Sequence, residues 1–462
     1  MNRRDFFKSG TLAGIGAAIW SPFSSGSTLF EFEKRAKNII FLVSDGMSSG
    51  TLQMADLLRR RMDGRNSNWM QLYHDDKITR GLMDMSSLNS SVTDSAAAGS
   101  SWGCGYRVNN GALNMGPEGE VYEPILQKFK QAGKATGCVT TVQITHATPA
   151  SFLISAESRR DQAKIANLYT KYDFDVLMGG GYEFFDSESR EDGKDLLSAF
   201  RKKGYQIALN KDEMRRSNNR DPILGLFGEG GLPYTVDQLH DREMYERVPT
   251  LAEMTQKSID LMKNNPNGFV IQVEGGKVDW AAHDNDLGAL LYDQLAFDDA
   301  VEVALNFAET DGDTLVIITT DHGNANPGLL GGRTADENFD RVKGFKSSFR
   351  PLLSNVKADT KPAEVVELLE SGLGFAIEKD HAKKLLSFYD GVKKDKEAAG
   401  PSRIPSPELA KVLFPYTNVG WAGTSHTSDF VELAMYGPGS EKLPAFIKNT
   451  DLHHYMLEVA GV

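Results

Sequence analysis

Short, uninterrupted apolar runs recur along the chain, most of them followed by a stretch with helical spacing. The first is Asn38-Ile39-Ile40-Phe41-Leu42-Val43, which ends in Ser44-Asp45-Gly46-Met47. Gly81 to Met85, Ala135 to Val142 and Asp175 to Met178 read as further strands, the last running into a Gly179-Gly180-Gly181 turn. Gly268 to Val273 ends at Glu274, and Thr314 to Thr320 ends at Asp321-His322-Gly323. Apolar runs without polar alternation mark strands buried on both faces, as in parallel sheets. Residues 51–61, Pro124 to Ala132, a segment after Pro149 through Arg160, Pro249 to Lys263 and the long Leu287 to Glu309 stretch read as helices. The alternation predicts an α/β fold, a three-layer α/β/α sandwich around a large, mostly parallel central sheet.

The pattern changes near Ser347. From about 347 to 415 the chain is Lys/Glu-rich and mostly helical, interrupted at Gly400-Pro401 and Pro405, which predicts an inserted cap or crown. The core resumes over Val419 to Gly437, so 36–462 reads as one domain carrying that insertion. Ahead of it, Asn2-Arg3-Arg4-Asp5-Phe6-Phe7-Lys8, a weakly apolar Leu12 to Trp20 stretch and a Ser/Gly-rich segment read as a twin-arginine signal over residues 1–27. Export to the periplasm or the medium is the expectation, by a route that carries folded proteins. No other run reaches membrane-spanning length.

Composition is that of an ordinary soluble globular protein, with 40% hydrophobic and 25% charged residues. Net charge is −12, and near −14 once a leader of net +2 is removed. That balance argues against a nucleic-acid partner. The two cysteines, Cys104 and Cys138, are expected to be buried free thiols rather than a disulfide or metal ligands.

Candidate chemistry centres on Val92-Thr93-Asp94-Ser95-Ala96-Ala97-Ala98-Gly99-Ser100. The Ala run favours helix and sets Ser95 near a helix N-terminus, where free N–H groups and the dipole favour an anion. Ser95 is therefore a candidate nucleophile toward a phosphoryl group, provided it is activated. Donors for an activating metal sit at strand ends: Asp45, Glu274, Asp321 and His322. Asp279 and His283, four apart, share one helical face, and His426 lies in a Gly/Ser/Thr-rich loop. Taken singly, each could be a cap or a solvated residue. Their common position at the carboxyl ends of strands, where open α/β sheets bind ligands, points to one site. Imidazole and carboxylate without thiolate suit zinc; carboxylate, hydroxyl and water suit magnesium.

These motifs resemble those of the alkaline phosphatase family. Thr93-Asp94-Ser95-Ala96-Ala97 is similar to the family's phosphoserine signature, with Ser100 where Thr is usual. The resemblance implies two Zn²⁺ and one Mg²⁺. One zinc would be held by Asp279, His283 and His426, and the second by Asp45, Asp321 and His322. Magnesium would lie on Asp45, Glu274 and Thr148 of His146-Ala147-Thr148-Pro149. It further implies Ser95 as covalent nucleophile and Arg159, eleven residues beyond Thr148, as the phosphate clamp. The expected activity is hydrolysis of phosphate monoesters, with a homodimer left open. A phosphodiesterase or nucleotide pyrophosphatase shares the metal core but typically lacks the magnesium Glu, so Glu274 favours monoesters. No Cys/Ser-x-Pro-x-Arg motif supports a sulfatase. A non-catalytic secreted metal-binding protein would need a missing ligand or nucleophile, and none is missing. His74, His240, His381, His453 and His454 match no motif and read as surface or packing residues.

The chain departs from the best-known bacterial members at His146 and Trp280, where they carry Asp and Lys. The His/Trp pairing is similar to that of cold-active marine bacterial members, and both residues are expected to face bound phosphate. Trp280 can pack or donate one N–H but supplies no charge. Trp280→Lys should strengthen inhibition by phosphate by about 1 kcal/mol, as a partly screened charge would, and lower kcat at alkaline pH. An inhibition constant that is unchanged or higher would make Trp280 a wall residue only.

Overall fold

All six residues of strand β1 (Asn38–Val43) are buried, and its side chains alternate between two cores. Ile40 and Leu42 join one apolar cluster, and Ile39, Phe41 and Val43 the other, so the strand divides two packed layers. The computed structural model describes residue 30 and residues 32–354, 356–357, 359–392 and 404–462, so the expected signal over 1–27 lies outside the described residues. The chain continues through β2 (Thr79–Asp84), β3 (Ala135–Gln143), β4 (Val176–Gly180), β5 (Gln206–Ala208), β6 (Ile223–Leu226), β7 (Phe269–Glu274) and β8 (Thr314–Thr319). It ends with β9 (Val431–Tyr436) and β10 (Phe446–Lys448).

These ten strands form one sheet in the order β10-β2-β9-β8-β1-β7-β3-β4-β6-β5. Pairing is parallel throughout except around β9, which runs antiparallel to both β8 and β2. β1 lies between β7 and β8, with Val43 level with Glu274 on one side and Thr319 on the other. The predicted three-layer α/β fold is therefore the observed one. Strands β5, β6 and β10, which are short and lie in the outer parts of the sheet, were not expected from the apolar runs.

One face is covered by the 25-residue helix Leu287–Asp311, closed by Gly312 at φ 72°. The helices of the 347–415 region (Phe349–Ser354, Pro362–Leu373, Lys379–Val392 and Ser406–Thr417) pack on this side, where Val365, Leu369, Leu385 and Leu409 join the same cluster. Two carboxylates anchor its start. Asp237 accepts from the backbone N–H and hydroxyl of Ser348 at 2.7 and 2.6 Å, and Asp286 accepts from the Phe349 N–H.

The opposite face carries the Ser95 helix (Ser95–Cys104) and the helix Ala147–Leu153. The helix expected to run through Arg160 stops at Leu153. Ile154 is extended, Ala156 pairs with Leu113, and the Asn114 amide takes the carbonyls of Ser151 and Ile154 at 2.6 and 2.8 Å. Arg159 consequently sits on a loop. Cys104 and Cys138 are both free and buried, as expected.

The small residues of the Ser95 helix serve its packing. A Cβ on Gly99 would lie 2.3 Å from Ser151 Oγ, and one on Gly103 would lie 2.2 Å from the Ser151 carbonyl oxygen. A hydroxyl can rotate away, but a helical carbonyl cannot. Gly103→Ala should therefore cost roughly 1–3 kcal/mol through overpacking, and thermal denaturation should show a larger loss for it than for Gly99→Ala. Equal melting temperatures for Gly103→Ala and wild type would disprove the close contact.

Candidate metal centre

The β1, β7 and β8 ends bring together Asp45, Glu274, Asp321 and His322, all essentially inaccessible to solvent. The turn after β1 depends on Gly46, whose φ is +69° and whose absent Cβ would lie 2.6 Å from Asp279 Oδ1. Its N–H donates to Asp321 Oδ1 at 2.9 Å. The helix Lys277–His283 then presents Asp279 and His283, as their spacing predicted.

Three groups of donor atoms result, each within 4.8 Å of one another: Asp279, His283 and His426; Asp45, Asp321 and His322; Asp45, His146 and Glu274. In the first group, the Nε2 atoms of His283 and His426 lie 3.1 Å apart and each lies 3.5 Å from a carboxylate oxygen of Asp279. Their Nδ1 atoms face backbone carbonyls, of Thr424 at 2.7 Å and Thr93 at 3.0 Å. Those bonds favour the proton on Nδ1 and leave Nε2 available to a metal. In the second group, His322 Nε2 lies 3.2 Å from Asp321 Oδ2 and 3.6 Å from Asp45 Oδ1. The third differs from the expected set by including His146, while Thr148 Oγ1 lies 3.2 Å from Asp45 Oδ2.

Burial and mutual repulsion set the electrostatics. Burial, then Asp321, Asp279 and Glu274, push the Asp45 carboxyl well up. Burial likewise raises Glu274 and Asp321 toward neutrality. Asp279 is held low despite burial, by its hydrogen bond to His426 and the neighbouring histidines. Burial with the Arg159 charge takes His146 down to about 3, and burial with His426 takes His322 down to about 3. Both rings stay neutral, the form that ligates metal. Asp45 Oδ1, Glu274 Oε1, Asp321 Oδ2, His322 Nδ1 and His146 Nδ1 are buried with no hydrogen-bond partner. Orphans are rare in a folded interior. Their gathering in one all-N/O donor set fits divalent cations.

Ser95 opens its helix beside this centre. Asp94 is the N-cap, one carboxylate oxygen accepting from the Ala97 N–H at 2.9 Å. Ser95 Oγ lies 3.3 Å from His322 Nε2. The other Asp94 oxygen holds Arg159 Nη1 at 3.2 Å, and Arg159 Nη2 lies 3.0 Å from His146 Nε2. Arg160 is exposed, with its N–H on Ser158. Trp280 is half-buried, edge-on to His146 with ring centroids 6.1 Å apart.

Several supporting residues had no signal in sequence. Asn324 Nδ2 donates to Asp279 Oδ1 at 2.7 Å and Thr140 donates to Glu274, while the link from Asp94, itself part of the Ser95 motif, to Arg159 is visible only in the structure.

A serine at a helix N-terminus, flanked by a guanidinium and grouped carboxylates and imidazoles, is the equipment of a metal-dependent hydrolase. A family model described as alkaline phosphatase matches residues 36–462. Alkaline phosphatase 4 of Bacillus subtilis is 31% identical over 434 residues, covering 92% of this chain and 88% of that one. Among solved structures, Thermus thermophilus alkaline phosphatase matches at TM-score 0.85 and 32% identity, over 96% of each chain. The cold-active alkaline phosphatase of a psychrophilic Shewanella matches at TM-score 0.78 and 28% identity, over 92% of this chain and 99% of that one. The chain belongs to the alkaline phosphatase family, a family of metal-dependent phosphatases.

Protons compete with metal for every one of these carboxylates. Because burial holds Asp45, Glu274 and Asp321 above the ordinary carboxylate range, protonation should set in as pH falls from neutrality, not only near pH 4. Dialysis at stepped pH with elemental analysis should show divalent metal retained above pH 7 and lost progressively toward pH 5. Full retention down to pH 4 would refute this.

Proposed function

We propose that the protein hydrolyses phosphate monoesters by two displacements through a phosphoserine at Ser95. The observation that carries this reading is Ser95 Oγ lying 3.3 Å from His322 Nε2, in the Asp45/Asp321/His322 group, at an Asp94-capped helix N-terminus. Two Zn²⁺, on Asp279/His283/His426 and on Asp45/Asp321/His322, and one Mg²⁺ on Asp45, Glu274 and Thr148, with His146 alongside, suit the donors. When bound, such ions lower the pKa of nearby hydroxyl and water and offset charge on the leaving oxygen.

The chain's own residues then act in turn. Ser95 Oγ loses its proton and attacks phosphorus while the bond from phosphorus to the ester oxygen breaks. The alcohol departs on the Asp279/His283/His426 side and takes up a proton. Water next attacks the phosphoserine, the bond from phosphorus to Oγ breaks, and Ser95 recovers a proton as inorganic phosphate leaves. Backbone N–H groups at the helix start favour the anion throughout. Arg159, positioned by Asp94 and His146, offers its planar fork to two non-bridging oxygens. Trp280 and His146 form the wall beside them. Export through the 1–27 leader and the role of 347–415 as a cap belong to the same proposal.

The phosphodiesterase reading shares the metal pair, but buried Glu274 beside Asp45 supports monoesters. Ser95→Ala should lower monoester turnover by several orders of magnitude with metal content intact, and wild type should turn over a monoester far faster than a diester. Near-wild-type turnover in Ser95→Ala would remove the serine from the mechanism. Arg159→Ala should raise KM and weaken phosphate inhibition by roughly 2–4 kcal/mol, the worth of a bidentate charge-assisted clamp. Were only Arg160→Ala to do so, the clamp would be the neighbouring arginine.

A further inference from the structure

A cavity of about 820 Å³ opens beside the Asp279/His283/His426 group, between the helix Lys277–His283, the 231–244 segment and the start of the 347–415 region. We propose that it is a subsite for the organic half of the ester, and that it takes alcohols bearing a planar aromatic ring. The inference rests on the monoesterase reading and adds a substrate class to it.

Direction is the first argument. In an in-line displacement the leaving oxygen departs opposite the nucleophile. Ser95 approaches from the His322 side, so the alcohol is directed toward His283, which lines the cavity. What leaves phosphorus has this space to occupy.

The lining is the second. Trp280, Tyr234, Pro233 and Met244 present aromatic and apolar surface, with Met244 40% exposed and Trp280 half-buried. The Trp280 ring is held before any ligand arrives. Lys277 Nζ sits 4.7 Å from its centroid and 3.7 Å from that of Tyr234, and Gly231 leaves room at its edge, where a Cβ would be 3.1 Å from Cζ3. A prefixed aromatic wall spares a stacking ligand the ordering cost. Arg350, from the 347–415 region, also lines the cavity and pairs with Asp284 at 3.9 Å. The volume falls in the range of sites for drug-sized ligands, more than a small aliphatic alcohol fills.

The test compares kcat/KM of the zinc- and magnesium-loaded enzyme for 2-naphthyl phosphate, adenosine 5′-phosphate and ethyl phosphate, in wild type and Met244→Gln. Met244 lies on the exposed helix Arg242–Arg247 and is not among the residues proposed to hold metal or phosphate. The variant should lose about tenfold on the aromatic esters, through KM, the scale of one apolar contact, with ethyl phosphate within twofold. A loss confined to the naphthyl ester or to the nucleotide assigns the subsite to aryl or nucleoside alcohols respectively. Equal losses on all three substrates, or none, overturn the proposal. Calorimetric binding of 2-naphthol and adenosine to the same two proteins reads the subsite without turnover, so loss of the subsite and loss of the monoesterase reading are told apart. No binding of either alcohol to wild type would overturn it as well.

Discussion

Four carboxylates, Asp45, Glu274, Asp279 and Asp321, are buried together at the carboxyl ends of three adjacent strands and the helix that follows one of them. Burying one unpaired carboxylate is expensive, and burying several beside each other is worse. The fold tolerates them because backbone and amide donors satisfy part of the set, as Gly46 N–H does for Asp321 and Asn324 for Asp279. The remainder is left for cations. The left-handed turn at Gly46, the neutral histidines and the orphaned oxygens are all terms of this one electrostatic problem.

Ser95 reaches the centre through two contacts from the other layer. Gly99 and Gly103 let the Ser95 helix settle against Ser151, one turn beyond Thr148. Asp94 divides its two oxygens between the helix cap and Arg159. Serine position and guanidinium position are thereby set by one side chain, so disturbance of the cap reaches the arginine directly.

Much of this was legible before any coordinates. Asp45, Glu274 and Asp321 follow apolar runs at once, and a buried parallel strand has nowhere to put such a residue but its exit, where ligands bind. Asp279 and His283 carry a helical spacing that survives in the structure. What failed was what tertiary contacts decide. Arg159 was expected on a helix, yet Asn114 and the Leu113–Ala156 bridge claim the backbone groups that would have extended it. His146 lies beside Arg159, and its further nearness to Asp45 and Glu274, which the sequence does not suggest, depends on a turn that local sequence does not describe. Asn324, Thr140 and the short outer strands carry no periodicity to read.

The pairing of β1 with β7 and β8 sets Val43 level with Glu274 and Thr319, so the donors that follow are spaced by neighbouring strands. Adjacent strands lie about 4.8 Å apart in any sheet. The backbone ladder thus works as a ruler for Asp45, Glu274 and Asp321, whose spacing is a property of hydrogen-bond geometry more than of any side chain's choice. Loops and caps around such a ruler can be lengthened, shortened or replaced without altering its graduations. A catalytic apparatus of this kind separates the distance that chemistry needs from the surface that selects what it acts upon, and the two are free to change at different rates.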